Sequence, residues 1–301
     1  MRLKLSSRNW AKRGFLNIPF LLCFLLSCTS STSPTYVKEN IDQAIRDICK
    51  KEYDLDIRAR IIGSTLWVYM PIQDMFEAFG KKDKPEKYVE KFAIEQNNDS
   101  LKNNLLKLEY AIKAVPEKEK YQEYKYNKKV FDNINNVLAV IRRVLFSMDR
   151  SKAQEPKFFC FITADIKNGI EIKQLSYYLD LKKISYNYIS NDEYRHRLIQ
   201  DFNIEPRAIG DSQGSYIEYR DITMEEFITG QIKHRIQLKF QKPEVEKDVD
   251  IDKEIIKILT YTLKIYGFDN FDTAELNNLL TQNRIVLNRM AIWERPIEQK
   301  F

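Results

Sequence analysis

The sequence predicts an α+β protein: a mostly antiparallel sheet built from hairpins, with helices on one face, followed by a mainly helical C-terminal part. Two patterns carry this prediction. Strand-like residues flank turn dipeptides at Gly63-Ser64 and Asn168-Gly169, which is typical of β-hairpins. Before each hairpin, over residues 34–51 and 130–149, apolar residues recur at helical spacing. Helices that cover one face of an antiparallel sheet are characteristic of this fold class.

The first hairpin supplies the candidate binding surface. A type II′ turn at Gly63-Ser64 pairs Ile62 with Thr65 and so determines the register of the two strands. We expect one face, which carries the aliphatic residues, to point into the core. The opposite face pairs arginines with aromatic residues, and we propose it as the binding face: Arg58, Arg60, Trp67 and Tyr69. Such a surface can bind glycans, anionic groups or a peptide strand, although a covered sheet face or a surface cation–π ladder would have the same pattern.

The remaining elements follow from periodicity and capping residues. Residues 81–129 are rich in Lys and Asn and are interpreted as an insertion, with a strand at residues 106–112 and a partner strand containing Tyr124 and Tyr126. A type I′ turn at Asn168-Gly169 joins two further strands. Helices are predicted to begin at Ser190, Thr223 and Asp272 and to span residues 252–266, with a short strand at 214–219. We therefore divide the folded chain into an α+β domain, 36–190, and a mainly helical part, 191–301.

The N-terminal segment predicts export. Residues 1–14 contain five basic residues and no acidic one, and an apolar run follows that is too short to span a membrane. The run ends in Leu25-Leu26-Ser27-Cys28. This ending resembles the lipobox of bacterial lipoproteins. An uncleaved anchor, or a plain signal peptide with a chance cysteine, is the alternative interpretation.

The resemblance to lipoproteins covers only the leader, and it implies a location rather than a fold. It implies that residues 1–27 are removed, that Cys28 carries the lipid, and that residues 28–35 form a flexible tether. The membrane is then a partner through the lipid on Cys28. Thr29, rather than Asp, follows the cysteine, which implies an outer-membrane location facing the periplasm if the source has two membranes.

Charge argues against a nucleic-acid partner. The formal charge of the chain is +6, but the five basic residues of the leader contribute most of it. Without residues 1–27 the chain has 44 basic and 43 acidic residues. A nearly neutral chain lacks the basic excess that favours binding to a phosphate backbone.

Catalytic and metal-binding patterns are scarce in the sequence. His196 and His234 lie among basic residues and are predicted to be solvated on outer helix faces, so we expect neither a metal site nor a cofactor. Cys49 and Cys160 are interpreted as buried thiols, although export permits a disulfide. Asp165 and Asp180 are the only carboxylates we select for acid–base roles, with turn support and solvation as their respective alternatives.

These observations favour a lipid-anchored cell-envelope protein that acts as a binding or assembly component, with another envelope protein or a glycan as its partner. They favour a non-enzymatic role but leave enzymatic activity open. The alternative is an envelope hydrolase that cleaves glycan or peptidoglycan with a carboxylate pair. A third hypothesis, carriage of a small ligand, requires a closed apolar pocket of at least about 300 Å³.

Overall fold

A computed structural model describes residues 38–77, 87–120, 125–147, 155–241 and 248–296. Its strands form a five-stranded sheet A, in the order β1-β2-β7-β8-β9, a four-stranded sheet B, in the order β11-β10-β5-β4, and a two-stranded sheet C, formed by β3 and β6. The strands are β1 (Arg58–Ile62), β2 (Thr65–Ile72), β3 (Tyr88–Lys91), β4 (Ile94–Lys102), β5 (Leu105–Ile112), β6 (Glu117–Lys120), β7 (Phe158–Asp165), β8 (Ile170–Tyr177), β9 (Ile199–Ile204), β10 (Thr273–Asn278) and β11 (Asn283–Asn288).

The helices cover both faces of sheet A. They are α1 (Ile41–Tyr53), α2 (Lys128–Phe146), α3 (Tyr178–Ser185), α4 (Asn191–Arg197), α5 (Met224–Phe240), α6 (Ile251–Tyr266) and α7 (Arg289–Glu294). Short 3-10 turns occur at Lys38–Asn40 and Pro206–Ala208. Within the described residues, no helix is long and apolar enough to span a bilayer.

One face of sheet A packs against α1 and α2. Ile41, Ile45 and Cys49 of α1 lie in a single aliphatic cluster with side chains of α2 and with Leu66, Val68 and Met70 of β2. The register of β1 and β2 is the predicted one, with Ile62 opposite Thr65, and Gly63 adopts φ +58°. The first hairpin therefore forms as its sequence pattern predicts. The helix predicted over residues 34–51 is α-helical only from Ile41, after a 3-10 turn at Lys38–Asn40, and it continues to Tyr53; residues 34–37 lie outside the described residues.

The other face of sheet A belongs to a second and larger core. Trp67, Tyr69 and Phe158 of sheet A share this core with the buried stripes of α5 and α6 and with Leu106 and Leu276 of sheet B. Because one continuous core joins both sheets, side chains from the N-terminal and C-terminal halves of the chain are buried together.

The α+β class is confirmed, since neighbouring strands are antiparallel except where β2 pairs with β7 and β5 pairs with β10. The pairing also crosses the division at residue 190. Strand β9 extends sheet A, and β10 lies beside β5 of the predicted insertion. Sheets A and B thus each contain strands from both segments.

Several local predictions are wrong. Asp272 does not begin a helix, because residues 273–288 form the β10–β11 hairpin, in which alternate residues of β10 are buried. The helix that begins after Ser190 is predicted from its apolar residues to continue to Phe202, but it ends at Arg197, and Ile199 already lies in β9. Residues 214–219 form a loop rather than a strand. In the first two cases a short apolar segment had the composition of both a helix and a strand, and sheet pairing decided between them.

One turn prediction and one strand-pairing prediction also fail in detail. Asp165 pairs with Ile170, so four residues, and not Asn168-Gly169 alone, connect β7 to β8. The partners of β5 are β4 and β10. Tyr126 instead forms an isolated bridge with Phe76, and Tyr124 lies outside the described residues.

Candidate functional site

The predicted binding face of the first hairpin is covered by other parts of the chain. Trp67 and Tyr69 are only 2% and 0% exposed. The indole of Trp67 donates a hydrogen bond to the carbonyl of Arg220 at 2.7 Å, and the hydroxyl of Tyr69 donates to the carbonyl of Asp211. The tyrosines of this covering segment pack edge-on against the two rings, Tyr219 on Trp67 and Tyr216 on Tyr69. The two aromatic residues are thus core residues and do not form a binding surface.

The covering segment, residues 205–222, is here called the strap. The carboxylate of Asp211 accepts backbone hydrogen bonds from Gln213, Gly214 and Ser215 and thereby closes a tight loop. At the other end, Asp221 accepts from the backbone amide of Ser64 at 2.8 Å and from the hydroxyls of Ser64 and Thr65. These bonds hold the strap against the hairpin.

The two arginines of the predicted face lie at the margin of the strap. Arg60 is exposed, and its guanidinium lies 4.7 Å from the ring centroid of Tyr219 rather than over Trp67. Arg58 donates to the side-chain oxygen of Gln213 at 2.8 Å. Both arginines therefore help to hold the strap.

Asp165 and Asp180 do not form a pair. Asp165 ends β7, whereas Asp180 follows the opposite end of the β7–β8 hairpin, so roughly 20 Å of strand lies between them. The carboxylate of Asp165 accepts hydrogen bonds from the amides of Met75, Lys167 and Asn168 and supports the turn. Burial alone would raise the pKa of Asp165. The three backbone bonds, together with a hydrogen bond from the side chain of Asn168, hold the pKa below its ordinary value.

Asp180 is completely buried rather than solvated. It lies in a charged network between helices α3 to α6, here called the ionic network: Asp180, Glu193, Arg197, Arg235, Tyr261 and Tyr266. Arg197 contacts the carboxylate of Asp180 at 2.7 Å and that of Glu193 at 2.6 Å. The hydroxyl of Tyr266 donates to Asp180 at 2.9 Å.

The ion pairs of the network shift the pKa values of Arg197 and Glu193. Burial alone would lower the pKa of Arg197, but the carboxylates of Asp180 and Glu193 raise it above its ordinary value. Burial likewise opposes ionisation of Glu193, while Arg197 and Arg235 hold its pKa below the ordinary value. Arg197 and Glu193 are therefore held in their charged forms, and the ion pairs of Arg197 join α3 to α4.

The connection between α3 and α4, anchored by this network, presents two exposed tyrosines. Asn187 adopts φ +58° after the end of α3, and the amide of Tyr188 donates to the carbonyl of Lys183 at 2.8 Å. This is the Schellman pattern of helix termination, with Asn in the left-handed position. Ser190 then accepts from the amide of Glu193 and begins α4. The connection is thus defined at both ends by capping.

The side chains of this connection form an aromatic row at the surface. Tyr186 stacks on Phe146 of α2, with ring centroids 6.3 Å apart and planes 16° apart, and Tyr188 lies 6.4 Å from Tyr186. Tyr186 is 61% exposed and Tyr188 is 79% exposed. Aromatic rings that face solvent offer flat apolar surfaces edged by a hydroxyl group.

A polar groove of about 580 Å³ lies beside these rings and is here called the tyrosine groove. Its walls combine amide, hydroxyl and guanidinium groups with one exposed ring: Arg142, Ile184, Ser185, Asn187, Tyr188, Ile189, Ser190 and Asn191. Amides and hydroxyls both donate and accept hydrogen bonds, whereas arginine only donates. Such a lining suits a ligand rich in hydroxyl and amide groups.

A second pocket is apolar and smaller, at about 240 Å³. It lies between the ends of β1 and β2 and the first turn of α2, where Ile57, Met70 and Val130 line it. This volume is below the range of about 300–1,000 Å³ that is typical of ligand pockets. In the segments that the structure describes, no group of three or more His, Cys, Asp or Glu residues is arranged to hold a metal ion.

The remaining sequence candidates fall into three classes. Cys28, the proposed lipidation site, lies outside the described residues together with the leader and the tether. Cys49 and Cys160 are confirmed as buried free thiols in different cores, and burial raises the pKa of each to about 12. The prediction for His234 is wrong: its side chain is buried, and burial, reinforced by Arg235, lowers its pKa to about 4.

The sequence patterns described above do not point to the tyrosine groove. A signal was nevertheless present, since the tripeptide Tyr186-Asn187-Tyr188 lies just before the predicted N-cap Ser190. Aromatic residues in such a connection have no strand or helix face on which to be buried.

Comparisons of the chain with protein-family models, with curated proteins and with solved structures find no significant match.

Proposed function

We propose that the protein is a lipid-anchored component of the bacterial cell envelope that binds a glycan in the tyrosine groove. The lipobox-like ending at Cys28 supports the anchor and, with Thr29 after it, an outer-membrane location facing the periplasm. One observation carries the binding role: two exposed tyrosines stand beside a groove lined with amide and hydroxyl groups.

The chemistry of a glycan matches this groove. A sugar ring has an apolar C–H face that can lie flat on an aromatic ring such as Tyr188, while its hydroxyl and acetamido groups exchange hydrogen bonds with Asn187, Ser190 and Asn191. Peptidoglycan is the glycan that a periplasmic protein at the outer membrane meets first. An assembly or structural role follows from this binding, because a lipid anchor and a glycan site on one chain connect two layers of the envelope.

The glycan proposal is tested with purified peptidoglycan sacculi. The wild-type chain is expected to co-sediment with sacculi, and the double variant Tyr186→Ala/Tyr188→Ala is expected to lose at least about tenfold in affinity, or about 1.4 kcal/mol. Tyr53→Ala is a matched control, since Tyr53 is also an exposed tyrosine but lies on α1 and does not line the groove. Equal binding by the wild type and the double variant would exclude the groove.

The anchor is tested separately by metabolic labelling with a fatty acid. The wild-type chain should incorporate the label, and the Cys28→Ala variant should not. Label that persists in Cys28→Ala would show that the lipid is not attached there, whatever the outcome with sacculi.

A further inference from the structure

Strand β9 forms one edge of sheet A and differs from the other sheet edges. Its residues 200–204 are all exposed, and its sequence contains no Lys, Arg or Pro. Natural edge strands are usually protected by such residues, by bulges or by a covering element. At the opposite edge, β1 carries Arg58 and Arg60, and Arg46 donates to the carbonyl of Ala59 at 2.6 Å.

The register of β9 shows which of its backbone groups face outward. Ile204 pairs with Ile170, and the amide of Glu205 donates to the carbonyl of Gly169 at 2.7 Å. Because bonding alternates along an antiparallel strand, the odd-numbered residues of β9 direct their backbone groups to β8. The backbone groups of Gln200, Phe202 and Ile204 therefore point away from sheet A.

We propose that β9 pairs antiparallel with β9 of a second copy of this chain, across a two-fold axis at Phe202. Outward-facing residues must pair with outward-facing residues, which leaves three central registers. Centring on Asp201 places that carboxylate opposite its own copy, and centring on Asn203 places Asp201 opposite Glu205 of the second copy. Both registers oppose like charges, which is destabilising.

The register centred on Phe202 avoids both conflicts. It places Asp201 opposite Asn203 of the second copy and Gln200 opposite Ile204. The side chain of Ile204, 79% exposed in one copy, then gains a cross-strand neighbour. Phe202 keeps its contact with Phe76, whose ring centroid lies 6.0 Å away. A self-complementary patch of this kind is what a two-fold dimer requires.

Sedimentation of the purified full chain in detergent tests the association. The wild type should be dimeric, and Ile204→Lys should weaken dimerisation at least about tenfold by placing a charge at the strand edge. Val286→Lys is the matched control, because Val286 is also an exposed β-branched residue, 54% exposed, on β11, the edge strand of sheet B. A wild-type monomer, or a dimer that Ile204→Lys leaves unchanged, would overturn the proposal.

Oxidative cross-linking tests the register. Asp201 and Asn203 form a pair without mutual backbone bonds, the closer kind of cross-strand pair, so Asp201→Cys/Asn203→Cys should form a covalent dimer. Asp201→Cys alone should not, since it meets itself only in the register centred on Asp201. Wild-type chain, treated identically, gives the background from its own cysteines. Cross-linking of the single variant as efficiently as the double variant would disprove the register.

Discussion

The hairpin face and the tyrosine groove both contain aromatic residues and arginine, but the aromatic residues are buried in the first and exposed in the second. On the hairpin face, Trp67 and Tyr69 lie beneath the strap and belong to the larger core. In the groove, Tyr186 and Tyr188 project into solvent beside polar groups. The difference shows that an aromatic and arginine-rich pattern does not identify a binding surface until the elements that cover it are known.

The two regions are also held in place by different interactions. The strap is held by the capping carboxylates of Asp211 and Asp221 and by aromatic edge contacts. The groove rests on the ionic network, in which Arg197 joins Asp180 of α3 to Glu193 of its own helix α4. Substitutions can therefore perturb one region while leaving the other intact.

The largest loss of stability is expected for Trp67→Ala. Removing this fully buried indole should lower the free energy of unfolding by about 3–5 kcal/mol, because it leaves a cavity and an unpaired carbonyl at Arg220. Chemical denaturation monitored by circular dichroism measures the loss. If Trp67 were part of an open binding face, as the sequence pattern predicts, the loss would be below about 1 kcal/mol.

Asp180→Ala should destabilise the protein by about 3 kcal/mol, since it leaves the guanidinium of Arg197 buried without the carboxylate it contacts at 2.7 Å. The variant should also weaken binding to sacculi, because α3 and α4 lose their connection beneath the groove. Lys183→Ala serves as a control, as its amine is 3.8 Å from the same carboxylate but is partly exposed. Unchanged stability of Asp180→Ala would contradict the role assigned to the ionic network.

Gly214→Ala should cost about 2 kcal/mol by distorting the strap. Gly214 has φ +68°, and an added Cβ would lie 2.8 Å from the hydroxyl of Tyr219 and 3.0 Å from the ring of Tyr69. Gly210→Ala is a close control, with φ +75° but no atom within 4 Å of the added Cβ. Because the strap does not line the groove, binding of sacculi should persist in both variants at temperatures where they are folded.

Acidification should act on His234, a buried residue of α5. The pKa of His234 is lowered from 6.5 to about 4, first by burial and then by Arg235 and His196. The unfolded state thus binds more protons between these pH values, and stability that is present above pH 6.5 is lost as the pH falls toward 4. His234→Gln should reduce this loss, measured as the midpoint of denaturation against pH.

Asp99, on β4, changes the stability in the opposite direction over a similar pH range. Burial raises its pKa to about 7, so its contribution to stability is lost as the pH rises from about 4 to 7. Asp99→Asn should therefore leave a steeper loss of stability on acidification than the wild type shows. A wild-type curve that neither variant alters would contradict both assignments.

The smallest effect is expected for Tyr188→Ala. A residue that is 79% exposed should change the free energy of unfolding by less than about 0.5 kcal/mol, although the same substitution removes a proposed ligand contact. Unfolding and binding to sacculi are measured on the same preparation. A loss of stability comparable with that of Trp67→Ala would remove the contrast between the two regions.

Periodicity was a good guide where a segment was long or its partner was adjacent in sequence. Helix α6 occupies Ile251–Tyr266, close to the predicted residues 252–266, and the β1–β2 register is the predicted one. It failed at residues 273–288, where alternating burial depends on β5, more than 160 residues earlier in the chain. It also failed for Asp180, because the partners that bury this residue, Arg197 and Tyr266, lie on other helices.

The sequence by itself determined the α+β class, the first hairpin and the expectation of a lipid on Cys28, because these depend on local periodicity, turn residues and a contiguous leader. Tertiary structure alone decided which aromatic residues are exposed. Strand β2 carries aliphatic side chains on one face and aromatic side chains on the other. Trp67, on the aromatic face, is a core residue only because the strap covers it. Only the cap at Asn187 and the ionic network beneath it leave Tyr188 in solvent. The burial of Trp67 and the exposure of Tyr188 depend on distant segments that the fold brings together, which the local pattern at these residues does not encode.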